Sequence, residues 1–212
     1  MSRYYPIYVN LENKPVLVVG GGKVALRKVK TLIEHGALVR IVSPKILPEL
    51  KKLVDDSNCI WQEKKYSSDD IQDAIIIFSC TEIEELNQRV AEDAAEACRL
   101  VNVVDDPEKC TFILPSIMSQ GDLKIAVSTS GSSPFVAKQI RKKLEAEFGE
   151  EYKEYLALLK SWRKEVKEKM TNEQKEKFWE RVTDGEVLEL IKNNQLDEAK
   201  GVMTKCFRSL LA

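Results

Sequence analysis

The stretch Gly20-Gly21-Gly22-Lys23-Val24-Ala25 has the form G-x-G-x-x-A. The apolar run Val16-Leu17-Val18-Val19 precedes it and a helical pattern follows, the context that separates a dinucleotide-binding fingerprint from a chance match. Gly20 permits a tight turn, Gly22 lets the backbone approach a pyrophosphate, and Ala25 allows close helix–strand packing. Lys23 and Val24 open the helix, where unpaired N–H groups and the positive end of the dipole meet phosphates. This motif implies a bound dinucleotide. The next strand ends in Val42-Ser43-Pro44-Lys45, where many such sites carry an acid for the ribose hydroxyls. That acid is missing; Ser43 can give or accept one hydrogen bond, and Lys45 leaves NADP open.

Acid–base chemistry has little material, because His35 is the one histidine and precedes Gly36 at an expected helix C-terminus. Asp105 and Asp106 follow the β-branched run Leu100–Val104. Open α/β sheets bind ligands beyond such strand ends, and a carboxylate there can act as a general base. Asp105-Asp106-Pro107 reads equally as a plain turn. Ser128, Thr129 and Ser130 offer hydroxyls and an anion nest, or simply a loop. Arg27, Lys28 and Lys30 follow the glycine turn, and a solvated helix face is their plainer reading.

The elements that must position these residues alternate through residues 1–105. Strands are expected at 16–19, 38–42, 60–62, 74–78 and 100–104, with helices at 23–35, 46–54 and 84–97. Ala74-Ile75-Ile76-Ile77-Phe78 is the most apolar run, as a strand buried on both faces should be. The βαβ alternation predicts a parallel, doubly wound sheet with right-handed crossovers. Two strands at 111–117 and 123–129 then flank the turn Ser119–Asp122, and a helix is expected over 134–148. Beyond Gly149 only helical patterns remain. Tyr152, Tyr155, Leu156, Leu159, Trp162, Val166 and Met170 share one face. Thr171 and Gln174 form a capping box, and Phe178, Trp179 and Val182 continue the apolar stripe. The expected class is α/β: a Rossmann-like parallel-sheet domain at 1–110, a small α+β segment at 111–149 and a helical domain at 150–212.

The chain has 212 residues, and its 33 basic and 34 acidic side chains leave a formal charge of −1. That balance argues against a nucleic-acid partner. No apolar run reaches the roughly 20 residues needed to span a bilayer, and the N-terminus lacks the order of a secretory signal. A cytoplasmic protein without a membrane partner is expected. Five scattered cysteines without a C-x-x-C suggest neither a disulfide framework nor a zinc site.

The ordered set of motifs resembles the precorrin-2 dehydrogenase family, also called the siroheme synthase N-terminal domain. Tyr5-Pro6-Ile7, Val18 to Ala25 with Arg27-Lys28, Gly36-Ala37, Ser79-Cys80-Thr81 and Leu86 to Val90 carry the resemblance. So do Val101 to Asp105, Phe112 to Ser116 and Ala126 to Pro134. The resemblance implies NAD-dependent oxidation of precorrin-2 to sirohydrochlorin, in siroheme biosynthesis, by a homodimer whose middle segment, the dimerisation segment at 111–149, makes the contact. It makes Asp105 the candidate catalytic base, and a metal-handling group if the protein also chelates. It places Thr81 among the cofactor-binding residues, and Asn102, Ser128 and Thr129 among those that bind the tetrapyrrole. Some members carry a regulatory phosphoserine in that loop; Thr129 occupies the matching position here. The larger fused enzymes add a C-terminal methyltransferase, and this chain is expected to end before one. Because the substrate bears many carboxylates, Arg27, Lys28, Arg89, Arg141 and Lys142 become candidate clamps. Two other readings stand beside this one: a bifunctional dehydrogenase and sirohydrochlorin ferrochelatase, and an NAD-sensing regulatory module without turnover.

Overall fold

The computed structural model describes residues 4–211. It divides into two compact units, one ending at Ile113 and the other beginning at Leu114.

The first unit is built on five parallel strands: β1 (Pro15–Val19), β2 (Leu38–Val42), β3 (Ile60–Gln62), β4 (Ile76–Ser79) and β5 (Leu100–Val103). Their spatial order is β3-β2-β1-β4-β5, so the chain reverses its winding between β1 and β4. Strand periodicity explains the two-sided core. Val16 and Val18 face a cluster with Ala25, Val29 and Leu32 of helix α1 (Lys23–Glu34). Leu17 and Val19 face the opposite cluster with Val90 and Ala94 of the later helix Glu84–Glu96. The continuous apolar runs thus mark strands covered on both sides. Helix α1 ends at His35, whose Nδ1 lies 2.7 Å from the Thr31 carbonyl, and Gly36 follows at φ 74°. That is the left-handed exit a glycine supplies cheaply. Helix α2 (Pro48–Asp55) precedes β3, and Glu84–Glu96 is α3.

The second unit starts with the antiparallel hairpin β6 (Ser116–Gln120) and β7 (Leu123–Val127), then α4 (Pro134–Glu147). Helices α5 (Glu151–Lys169), α6 (Asn172–Val182), α7 (Glu186–Lys192) and α8 (Leu196–Leu211) complete it. Phe178, Val187, Met203 and Phe207 form the centre of the helical core. The Trp162 and Phe207 rings pack 5.2 Å apart.

Two expected strands move. The run at 74–78 begins its ladder at Ile76, because the Ala74 N–H closes a turn onto the Ile71 carbonyl. The strand expected at 111–117 begins at Ser116. Thr111 is held at β5 instead: its N–H donates to the Val101 carbonyl and its hydroxyl accepts from the Val101 N–H at 2.7 Å. The hairpin turn shrinks to Gly121 and Asp122, with Gln120 opposite Leu123 and Gly121 at φ 58°.

Candidate cofactor and catalytic site

Three loops converge where β1, β2 and β4 end. Gly20 leaves β1 at φ 114°, and a Cβ there would overlap the Cys80 carbonyl, with the carbonyl carbon only 2.8 Å away. Its N–H donates to the Val42 carbonyl at 3.0 Å. Gly21 lies beneath the loop after β2. A Cβ there would strike the Lys45 carbonyl and sit 2.8 Å from the Ile46 Cα, and the Leu47 N–H donates to the Gly21 carbonyl. Gly22 is different. Its φ is −87°, and an added Cβ would meet no heavy atom within 4 Å. The fold therefore requires glycine at positions 20 and 21 but not at 22.

Helix α1 opens at Gly22 with no side-chain cap and no acid in its first turn. Its first N–H groups, those of Lys23 and Val24 included, face an exposed edge where the dipole favours an anion. Open space over Gly22 and uncapped donors behind it fit a pyrophosphate. The residues present therefore suit a dinucleotide, which would lie across the crevice between β1 and β4.

Around this turn the expected contacts divide. Pro44 and Lys45 are exposed beside it. Ser43 is 8% exposed, and its hydroxyl donates to the Lys45 carbonyl at 2.7 Å. Its own carbonyl accepts from the Trp61 indole at 2.9 Å. Ser43 thus shapes the loop, and its proton is not available to a ribose. The Thr81 hydroxyl accepts from the Ile83 N–H at 2.9 Å.

Two residues that sequence reasoning quoted without a role hold this loop. The fully buried Ser79 hydroxyl donates to Asn87 Oδ1 at 2.7 Å, and Asn87 Nδ2 donates to the Thr81 carbonyl at 3.1 Å. The relay from β4 through α3 fixes the Cys80-Thr81 backbone against Gly20. Its signal was the serine inside an otherwise apolar strand, since a buried hydroxyl must find a partner.

Asp105 lies just past β5 on the same carboxyl edge, at φ 61°. Val104 still pairs with the Ser79 carbonyl, so the chain leaves the sheet only there. Asp105 is exposed, and among the described residues its carboxylate has no hydrogen bond or ion pair. Asp106 is committed elsewhere. It pairs with Lys109 at 2.6 Å, and that hydrogen bond holds its carboxyl below the usual range. Left-handed backbone at a non-glycine residue is strained and clusters at functional positions.

Asn102 turns its amide inward, donating to the Phe112 carbonyl at 3.2 Å and toward Cys110 Sγ at 3.5 Å. It braces the chain after β5. Lys28 lies over the Phe78 ring, 5.5 Å from its centroid, and burial lowers its pKa from the usual lysine value. Phe78 meets Phe112 edge to face at 5.6 Å. Burial pushes the Cys80 thiol up to about 12. Arg89 is held by Ser68 and Asp93 and leans over Tyr66.

Ser128 and Thr129 belong to the second unit. The Thr129 hydroxyl donates to the Ser133 carbonyl at 3.0 Å and accepts from the Ser133 N–H at 3.1 Å. Ser133 caps α4, accepting from the Val136 N–H at 3.2 Å. Thr129 is thereby spent on the loop. Ser128 is exposed and accepts from the Ser130 N–H at 3.0 Å, leaving its own proton free to donate. Arg141 is paired with Glu145, and Lys142 is exposed.

Sheet order, glycine turn and uncapped helix define the first unit as a dinucleotide-binding domain of the Rossmann-like class. Residues 7–116 match a family model described as NAD(P)-binding, residues 120–147 one for the central region of a sirohaem biosynthesis protein, and residues 151–206 one for the sirohaem synthase dimerisation region. The siroheme synthase of Mannheimia succiniciproducens is 38% identical over 198 residues, covering 93% of this chain and 42% of that protein. That of Neisseria meningitidis is 37% identical over 203 residues, covering 95% and 42%. The chain thus spans about two fifths of these relatives' length. A solved structure titled "SirC, precorrin-2 dehydrogenase" superposes with a TM-score of 0.79 at 23% identity, over 95% of this chain and 100% of that one. The chain belongs to the NAD(P)-binding family whose model covers residues 7–116, and regions matching the sirohaem central and dimerisation models follow it.

Among the described residues no helix is long and apolar enough to cross a membrane.

Proposed function

We propose that this protein is a precorrin-2 dehydrogenase that uses NAD⁺ to oxidise precorrin-2 to sirohydrochlorin in siroheme biosynthesis. The observation that carries this reading is the unpaired carboxylate of Asp105 on the same sheet edge as the open glycine turn. One strand, β4, separates the strand before Gly20 from the strand before Asp105. Two strand spacings amount to roughly 10 Å, a span an extended dinucleotide bridges.

Bound NAD⁺ would supply the acceptor for the hydride removed from the reduced macrocycle. The chain supplies the rest. Gly22 and the first turn of α1 seat the pyrophosphate, and the Ser79–Asn87–Thr81 relay fixes the loop beside it. Asp105 takes the proton that balances the hydride, since losing both converts precorrin-2 to sirohydrochlorin. Ser128 offers its hydroxyl to the tetrapyrrole. Asn102 and Thr129 act by bracing their loops.

The functional species in this reading is a cytoplasmic homodimer. The contact would fall to the helical part at 150–212, whose residues 151–206 match the dimerisation-region model, together with the segment 111–149 that joins it to the dinucleotide-binding part at 1–110. A two-stranded hairpin such as β6–β7 is marginal by itself, and Ile117, Phe135, Val136 and Ile140 are exposed. All five cysteines are free thiols, as a reducing compartment allows.

Asp105→Asn tests the base. Asparagine tolerates the left-handed backbone but cannot accept the proton. Turnover should collapse while NAD⁺ affinity stays, and full turnover would overturn the assignment.

A further inference from the structure

The loop after β2 stands where a dinucleotide-binding sheet reads the adenosine ribose, and here it carries a cation in place of an acid. An acid at that place accepts a hydrogen bond from the ribose 2′-hydroxyl, whereas a basic residue accommodates a 2′-phosphate. From Leu38 through Pro48 the chain has no Asp or Glu, and Lys45 is the basic residue of the loop. Ser43 does not take the acid's part, because its hydroxyl is spent on the Lys45 carbonyl.

The loop is held from three sides. Gly21 packs beneath Lys45 and Ile46, and the Leu47 N–H donates to the Gly21 carbonyl at 3.0 Å. Ser43 closes onto the Lys45 carbonyl at 2.7 Å. The Trp61 indole of β3 donates to the Ser43 carbonyl at 2.9 Å. The backbone of Lys45 is thus fixed against the glycine turn that seats the pyrophosphate. Its side chain is exposed and, among the described residues, has no carboxylate partner. The next acid along the chain, Glu49, already belongs to the first turn of α2. Glu63, just past β3, is exposed and is followed two residues on by the exposed Lys65. Discrimination against a close analogue often rests on a repulsive element, and this loop supplies none against a phosphate.

We infer that the cofactor site takes NADP⁺ as well as NAD⁺, with Lys45 as the residue that receives the 2′-phosphate. The inference rests on the reading of the glycine turn as a dinucleotide site and leaves the oxidation chemistry unchanged. A phosphate monoester carries a charge of about −1.5 to −2 at neutral pH. An ammonium on a flexible stem meets it as a point charge, without demanding one fixed geometry. The missing acid withholds a hydrogen bond from NAD⁺, and the lysine offers a charge to NADP⁺. Both effects narrow the gap between the two cofactors.

Calorimetric titration of the full chain with NAD⁺ and with NADP⁺, in separate runs, reads both dissociation constants without turnover. NADP⁺ should bind within about tenfold of NAD⁺. Lys45→Glu should raise the ratio of the NADP⁺ constant to the NAD⁺ constant by about tenfold or more, and Lys45→Gln should raise it less. The side chain is exposed, so circular dichroism should be unchanged in both variants. Added salt should weaken NADP⁺ more than NAD⁺ in the unaltered chain, because it screens an exposed charge pair. That difference should shrink in Lys45→Gln. A ratio well above tenfold in the unaltered chain would overturn the inference, as would a ratio that Lys45→Glu leaves in place. NAD⁺ binding with NADP⁺ excluded removes this inference alone. Failure of both nucleotides to bind removes the dinucleotide site, and this inference with it.

Discussion

Replacing Gly22 by valine should separate cofactor binding from folding. The native φ of −87° and ψ of −169° are extended values that valine adopts readily. An added Cβ meets no protein atom within 4 Å. Losing glycine at a helix N-cap costs about 0.5–1 kcal/mol. Restricting the unfolded chain returns about 0.4–1 kcal/mol. The two nearly cancel, so the melting temperature should move by no more than about 2 °C. Cofactor affinity should respond differently, because the side chain occupies the space over the uncapped donors of α1. Each hydrogen bond to a charged group that is lost costs about 1.5–3 kcal/mol, equivalent to roughly 10- to 150-fold in Kd. Calorimetric titration of NAD⁺ beside a thermal melt measures both quantities. Gly20→Ala is the contrast: at φ 114° and against the Cys80 carbonyl, it should destabilise the fold itself by about 1–3 kcal/mol. A Gly22→Val protein that binds NAD⁺ normally would refute the placement of the pyrophosphate. One that fails to fold would refute the claim that the space is open.

Asp105→Asn should lower kcat by about 10²–10⁴-fold with little change in NAD⁺ affinity. Asp106→Ala, which breaks only the turn's pair with Lys109, should stay near wild type; steady-state assays of both check the distinction. Asp70 is 6% exposed. Burial alone would raise its pKa, but Lys64 and the Ser67 N–H and hydroxyl bind the carboxylate, and the net pKa is lowered. A lowered folded pKa stabilises above the usual carboxylate value and is lost as pH falls through it. Asp70→Asn should therefore unfold more readily near neutral pH, and the gap should close below about pH 4; acid titration by circular dichroism reads this. Sedimentation at micromolar concentration should give a dimer, and a monomer would contradict the proposed assembly.

The sheet was legible because its strands are covered on both faces. Val16–Val19 and Ile76–Phe78 appear as unbroken apolar runs, and Gly20 and Gly36 punctuate them where φ must be positive. Gly21 was not legible as a packing position, since its requirement comes from the loop at Lys45 and Ile46, distant in sequence. Ser43 and Thr129 looked free as isolated hydroxyls. Their partners, the Lys45 carbonyl and the Ser133 backbone, follow from loop conformation, which residue type does not specify. The β-branched stretch after Cys110 misled for a related reason. Thr111 satisfies its backbone and hydroxyl at the β5 edge, so an apolar, β-prone segment serves as a brace and the strand starts five residues later. Asp105 was located by its place beyond a strand end, but its isolation emerged only when Asp106 was seen to claim Lys109.

The central claim is tested most directly by mixing the protein with precorrin-2 and NAD⁺ under anaerobic conditions and following the absorbance of sirohydrochlorin and NADH together. The expected result is one NADH for each sirohydrochlorin formed, with both signals absent when NAD⁺ is omitted. Bound NAD⁺ without turnover, or sirohydrochlorin appearing without NADH, would contradict the account.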